Sequence, residues 1–154
     1  MPRHACNGEA CSHYRNIRDA TFTTLMAIWI STMPTNRVLL VEDDSDTREI
    51  TALLLDDAGY EVIVAPDLTS SIALSRERPN INVVVADMYL GGGQTGTSLI
   101  RTIRDSGLHM PIVLTSADDE VSIAARDLNV VFLPKPYGRQ ALLSVMALAS
   151  ADST

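Results

Sequence analysis

Three acidic residues follow directly on a short apolar run, in Val41-Glu42-Asp43-Asp44, and a fourth acid, Asp87, closes a second run, Ile81–Ala86. Carboxylates crowded at one rim repel one another. A hard divalent cation such as Mg²⁺ relieves that repulsion while keeping oxygen ligands and water. Beside such an ion, Asp87 has the chemistry of a carboxylate nucleophile toward a phosphoryl group. The Ser116 hydroxyl and the Lys135 ammonium, each just beyond another apolar run, suit the remaining phosphoryl oxygens. Phosphoryl transfer requires little beyond such positioning and charge compensation. Lys135 is the single lysine in a chain with 12 basic residues, the others all being arginine. A compact, flexible ammonium is thus used where a planar guanidinium would serve differently.

The elements that must position these groups alternate regularly from Arg37 onward. Val38–Val41 reads as a strand, and Asp46–Ala58 as a helix by the spacing of Ile50, Leu53 and Leu54, closed by Gly59. Tyr60–Val64 is the next strand. Asp67 caps a helix over Leu68–Glu77, with Pro79 beyond it. Ile81–Ala86 is a third strand, apolar apart from Asn82, as buried parallel strands are. A glycine-rich loop, Leu90–Thr95, leads into a helix ending at Asp105, with a stop at Gly107. Pro111–Leu114 and Val130–Leu133 are strands, and Asp118–Leu128 and Arg139–Ala149 are helices. Five strands alternating with five helices imply a doubly wound parallel sheet of the α/β class, a three-layer sandwich. In such sheets ligands gather at the carboxyl ends of the strands. Glu42, Asp43, Asp87, Ser116 and Lys135 all fall there.

Over about Arg37–Ala149 the chain resembles the receiver domain of bacterial two-component response regulators, a flavodoxin-like, CheY-like fold. The motifs that carry the likeness are Val41-Glu42-Asp43-Asp44, Asp87 after its apolar strand, Pro111-Ile112-Val113-Leu114-Thr115-Ser116-Ala117, and Leu133-Pro134-Lys135-Pro136-Tyr137. The resemblance implies Glu42 and Asp43 as an acidic Mg²⁺ pair and Asp87 as both phosphoacceptor and metal ligand. It implies a metal-binding backbone carbonyl at Tyr89, a switch hydroxyl at Ser116, a phosphate-binding Lys135 and a switch aromatic at Phe132. It also implies a cis Lys135–Pro136 peptide. By capping preference, Asp44 is read as a helix cap and not as a ligand. Ser116 and Thr115 have a competing reading as caps of the helix that follows. The family usually has Pro in the loop after the phosphoacceptor, where this chain has Gly91-Gly92-Gly93. That loop resembles the longer version in receivers of hybrid histidine kinases, and three glycines predict mobility. Tyr89, bulky for its position, is expected to slow water's approach to an acyl phosphate.

The likeness implies a phosphodonor that is a histidine kinase or a histidine phosphotransfer protein. It also implies a downstream protein partner at the fourth helix, fifth strand and fifth helix, and a homodimer through the last two helices as one arrangement. The protein is expected to promote its own phosphorylation and dephosphorylation without being a turnover enzyme. Two other functions compete. Hydrolases with an Asp nucleophile in a similar sheet carry an acid/base Asp two residues later, where Tyr89 stands. A scaffold that no longer needs phosphate is disfavoured by the presence of every key residue.

A formal charge of −7 argues against non-specific binding of nucleic acid or anionic membranes. Only Cys6 and Cys11 are present, so the main domain has no disulfide and suits a reducing cytoplasm. The run Leu25–Ile30 is too short to span a bilayer. Residues 1–33 form an extension read as disordered or not natively translated, Met33 being the alternative start. Residues 34–150 form the receiver and 151–154 a tail, which leads to the expectation of a stand-alone receiver. Within the extension, His4, Cys6, Cys11 and His13 offer a zinc set, disfavoured by its spacing. Thr21–Ile30 offers a docking helix of marginal length.

Overall fold

The computed structural model describes residues 36–78 and 80–151. The readings of the extension, including its zinc set, docking helix and alternative start, lie outside the described residues. The elements run β1 (Arg37–Val41), α1 (Ser45–Asp57), β2 (Glu61–Ala65), α2 (Leu68–Glu77), β3 (Val83–Asp87), α3 (Gly96–Asp105), β4 (Ile112–Ser116), α4 (Val121–Asp127), β5 (Val131–Pro134) and α5 (Arg139–Ala151). All five strands pair in parallel in the order β2-β1-β3-β4-β5. The expected fold class, a doubly wound parallel α/β sandwich, is the one observed, and its strand order is flavodoxin-like.

Strand side chains alternate between two apolar layers, as the pleat requires. Leu39, Val41, Val84, Ala86, Ile112 and Leu114 pack with Leu99, Ile100 and Ile103 of α3 and Val121 and Ala125 of α4. Val38, Leu40, Val83, Val85 and Val113 pack on the opposite face with Leu55 of α1 and Leu142 and Met146 of α5. Because both faces are covered, Val38–Val41 of β1, Val83–Ala86 of β3 and Ile112–Leu114 of β4 are continuous apolar runs. The first two helices begin at side-chain caps. Asp44 accepts from the Thr47 amide at 2.8 Å and Asp67 from the Ser70 amide at 2.7 Å. Asp44 thus serves as the cap its sequence position suggested.

Several boundaries differ from the sequence reading. Strand β3 starts at Val83 and takes in Asp87, and β4 takes in Thr115 and Ser116. Polar residues at those ends keep pairing because the ladder continues: Asp87 sits in register with Thr115, and Ser116 with Pro134. Helix α4 starts at Val121, not Asp118, because the Asp118 carboxylate accepts from the Glu120 amide at 3.0 Å and holds a turn there. Helix α5 extends to Ala151, which moves the start of the proposed tail. No helix among the described residues is long and apolar enough to cross a membrane.

Candidate functional site

Strand order reverses direction at β1, which lies between β2 and β3, and the crevice above that point is where ligands bind in sheets of this kind. Glu42 and Asp43 leave the end of β1 and Asp87 ends β3, so parallel pairing of the two strands brings all three acids to one rim. One carboxylate oxygen from each of Glu42, Asp43 and Asp87 lies within 4.8 Å of the others. Glu42 is 3% exposed and Asp87 9%. Asp43 is on the open side.

Lys135 closes the cluster. Its Nζ donates to Glu42 Oε2 at 2.7 Å and lies 3.3 Å from Asp87 Oδ2. The Lys135 backbone N–H donates to the Ser116 carbonyl at 2.8 Å, which ties the loop after β5 to the end of β4. Burial pushes the Glu42 carboxyl above its usual range, partly offset by the hydrogen bond from Lys135. Burial likewise raises Asp87, against the pull of Lys135 and with the push of Asp43. For Lys135, burial works toward a lower value. The hydrogen bond to Glu42 and the charges of Asp87 and Glu42 outweigh it, so the ammonium is held above its ordinary range. Two buried acids against one ammonium leave an excess of negative charge, and Asp43 adds to it. Three oxygen donors of this kind fit a hard divalent ion, and receiver domains generally use Mg²⁺ at such an acidic pocket.

The remaining expected residues lie on the neighbouring strands and loops. Ser116 is fully buried, and its Oγ accepts from the Asp118 amide at 3.1 Å. That is a local turn contact; the start of α4 has no side-chain cap. Phe132 is half-buried, in register with Leu114 and packed on the α3–α4 side of the core. The Tyr89 backbone bridges to Thr95 across the glycine loop. Its phenol donates to Asp118 Oδ2 at 3.1 Å, and this contact raises the phenol's pKa. The Lys135–Pro136 peptide is cis. Gly91 has φ +70°, which a proline, locked near −65°, cannot adopt. The loop therefore follows a path that the usual family residue excludes.

Three residues have a part in this arrangement to which the sequence reading assigned no role. Arg48 Nη1 donates to the Glu42 and Asp43 carbonyls at 2.8 and 3.1 Å, pinning the acidic turn from α1. Its only signal was an arginine one helical turn after the Asp44 cap. Gly96 is buried under the end of β3, where a Cβ would stand 2.5 Å from the Asp87 carbonyl oxygen. A glycine directly after the Thr95 cap was its signal. Tyr137, named from the sequence only as the end of the Leu133–Tyr137 motif, pairs its hydroxyl with Thr51 Oγ1 at 3.2 Å and so joins α1 to the loop after β5.

Comparison with known proteins accords with the geometry. Residues 38–147 match the family model of the response regulator receiver domain. The chain is 28% identical over 140 residues to the alkaline phosphatase synthesis transcriptional regulatory protein SphR of Synechococcus elongatus, covering 84% of this chain and 54% of SphR. It is 33% identical over 117 residues to the CAI-1 autoinducer sensor kinase/phosphatase CqsS of Vibrio cholerae, covering 72% of this chain and 17% of CqsS. A solved response regulator receiver domain protein from Clostridium thermocellum superposes with a TM-score of 0.69 at 25% identity, covering 76% of this chain and 95% of that one. This chain thus spans about half of SphR and a small part of CqsS. It belongs to the receiver-domain family of two-component response regulators.

Proposed function

We propose that the protein accepts a phosphoryl group on Asp87 from a histidine kinase or a histidine phosphotransfer protein. The observation that carries this reading is the convergence of Glu42, Asp43 and Asp87 within 4.8 Å, with the Lys135 ammonium 3.3 Å from Asp87. In the transfer, an Asp87 carboxylate oxygen forms a bond to phosphorus. The P–N bond to the donor imidazole breaks, and its electron pair returns to the ring nitrogen. Glu42, Asp43, Asp87 and the Tyr89 carbonyl would hold Mg²⁺, which when bound neutralises phosphoryl oxygens. Lys135 is positioned to exchange its contact with the Asp87 carboxylate for one with a phosphoryl oxygen, and Ser116 to donate to another. Hydrolysis of the acyl phosphate returns the carboxylate, so the chain acts as an acceptor that promotes its own labelling and release, not as a turnover enzyme.

A groove of about 350 Å³ supports approach of a protein donor. Thr47, Ile50 and Leu54 of α1 line one side, and Lys135, Pro136 and Tyr137 line the other, so it opens beside the acceptor. Ile123 on α4 and Leu148 on α5 are large, apolar and exposed. They support a downstream partner, or a second copy, at the α4–β5–α5 face, with Ser116 and Phe132 coupling that face to Asp87. The proposal includes a cytoplasmic location.

The direct test incubates the full chain with Mg²⁺ and a small phosphodonor, acetyl phosphate or phosphoramidate, and follows intact mass. Wild type is expected to gain one phosphoryl group and Asp87→Asn none. A folded wild-type protein that stays unlabelled, or an Asp87→Asn protein labelled equally, overturns the reading.

A further inference from the structure

We propose that Gly91 is a positioning residue for the divalent-cation site, its bare Cα giving the Asp43 carboxylate the room it needs to face Glu42 and Asp87. This rests on the reading of Asp43 as a metal ligand. Gly91, Gly92 and Gly93 all have positive φ, at +70°, +57° and +77°. A Cβ at Gly92 or Gly93 would meet nothing within 4 Å, whereas one at Gly91 would stand 2.9 Å from Asp43 Oδ2. The three positions therefore share one backbone constraint, and Gly91 alone adds a steric one.

What gives way on substitution is set by how each side is held. The loop is anchored by Leu90 N–H to the Gln94 carbonyl at 3.1 Å and Gln94 N–H to the Gly91 carbonyl at 2.9 Å. Its ends are joined by the Tyr89–Thr95 bridge, and Leu90 is buried. The Asp43 backbone is held by Arg48 Nη1 on its carbonyl at 3.1 Å. The movable part is the Asp43 carboxylate, the end of an exposed side chain. Turning it aside costs the fold little, but it removes one of the three converging oxygens. A methyl group at position 91 should thus separate ion binding from stability.

The test titrates the full chain with Mg²⁺ alone and reads ¹H–¹⁵N amide shifts, which report folding in the same spectra. Gly91→Ala is compared with Gly92→Ala and Gly93→Ala, which carry the same left-handed strain, and with Asp43→Asn as the ligand control. The Mg²⁺ dissociation constant of Gly91→Ala is expected to rise roughly ten- to hundredfold, and those of Gly92→Ala and Gly93→Ala to stay within about twofold of wild type. If Asp43→Asn loses Mg²⁺ while Gly91→Ala binds as Gly92→Ala does, this inference alone is overturned. If wild type and Asp43→Asn titrate alike, the ion-site reading fails and takes the inference with it. An unfolded Gly91→Ala beside a folded Gly92→Ala also overturns it, because the displacement then falls on the fold and not on the carboxylate.

Discussion

Asp87 is held in a conflict that its proposed chemistry uses. Burial favours its protonated form, Asp43 adds repulsion, and Lys135 at 3.3 Å only partly compensates, so its carboxyl lies above the usual 3.8. A carboxyl with a raised folded value opposes folding when ionised. The penalty is absent below pH 3.8, grows as pH rises through the folded value, and is complete above it. In divalent-free buffer, Asp87→Asn is therefore expected to raise Tm at neutral pH by a few degrees. The gain should shrink toward nothing as the buffer is acidified through pH 3.8, where the wild-type carboxyl is itself neutral. Thermal denaturation of both proteins across that range measures it. A Tm difference independent of pH would show that packing, not charge, separates them. Glu42 shares the sign, and because the Asp87 charge helps to push it up, Asp87→Asn relieves part of that penalty as well and the measured gain contains both.

At the scale of elements, the site depends on how closely α3 is seated beneath β3. Gly96 N–H donates to the Met88 carbonyl at 2.8 Å, and the missing side chain lets the helix start directly against the strand that ends in Asp87. In Gly96→Ala the new Cβ would meet the Asp87 carbonyl oxygen at 2.5 Å and Leu114 Cδ1 at 2.6 Å. The oxygen belongs to paired backbone and cannot turn aside as a carboxylate can. Gly96→Ala is expected to cost about 1–3 kcal/mol in urea denaturation and to slow labelling of Asp87. Gly138→Ala meets open space and should cost only the poorer cap it gives α5, up to about 1 kcal/mol, with labelling of Asp87 unchanged. This contrast also marks what was legible in the sequence. Elements whose burial is two-sided or capped, such as β1, β3 and the helices after Asp44 and Asp67, declare themselves through unbroken apolar runs and cap residues. Gly96, Arg48 and Tyr137 act through neighbours 5 to 86 residues away in the chain, and local pattern offers at most a nearby cap residue as a signal. The start of α4 was misread for the opposite reason: Asp118 has a cap residue's type, but it holds a separate turn ahead of the helix.

Across the whole molecule, the two apolar layers are complete without the acidic rim, so the charges at the strand ends add function without supporting the core. Lys135 is the one cation that bridges the rim among the described residues, donating to Glu42 and lying beside Asp87. Four ionisable groups at one end of a rigid sheet thus carry a net negative charge that the fold tolerates. A ligand that binds only this folded arrangement must stabilise the entire domain, because the two strands that bring the acids together are central to the sheet. Mg²⁺ at a hundred times its dissociation constant should add about 2.7 kcal/mol to the unfolding free energy, seen as a rise in Tm that grows with the logarithm of Mg²⁺ concentration. Asp43→Asn, which removes an exposed ligand and leaves both apolar layers intact, should abolish most of that dependence. Its Tm without Mg²⁺ should equal or exceed that of wild type, since one repelling charge is gone. If Mg²⁺ raised the Tm of wild type and Asp43→Asn equally, the ion would be acting through diffuse screening of a −7 chain and not through the three converging carboxylates.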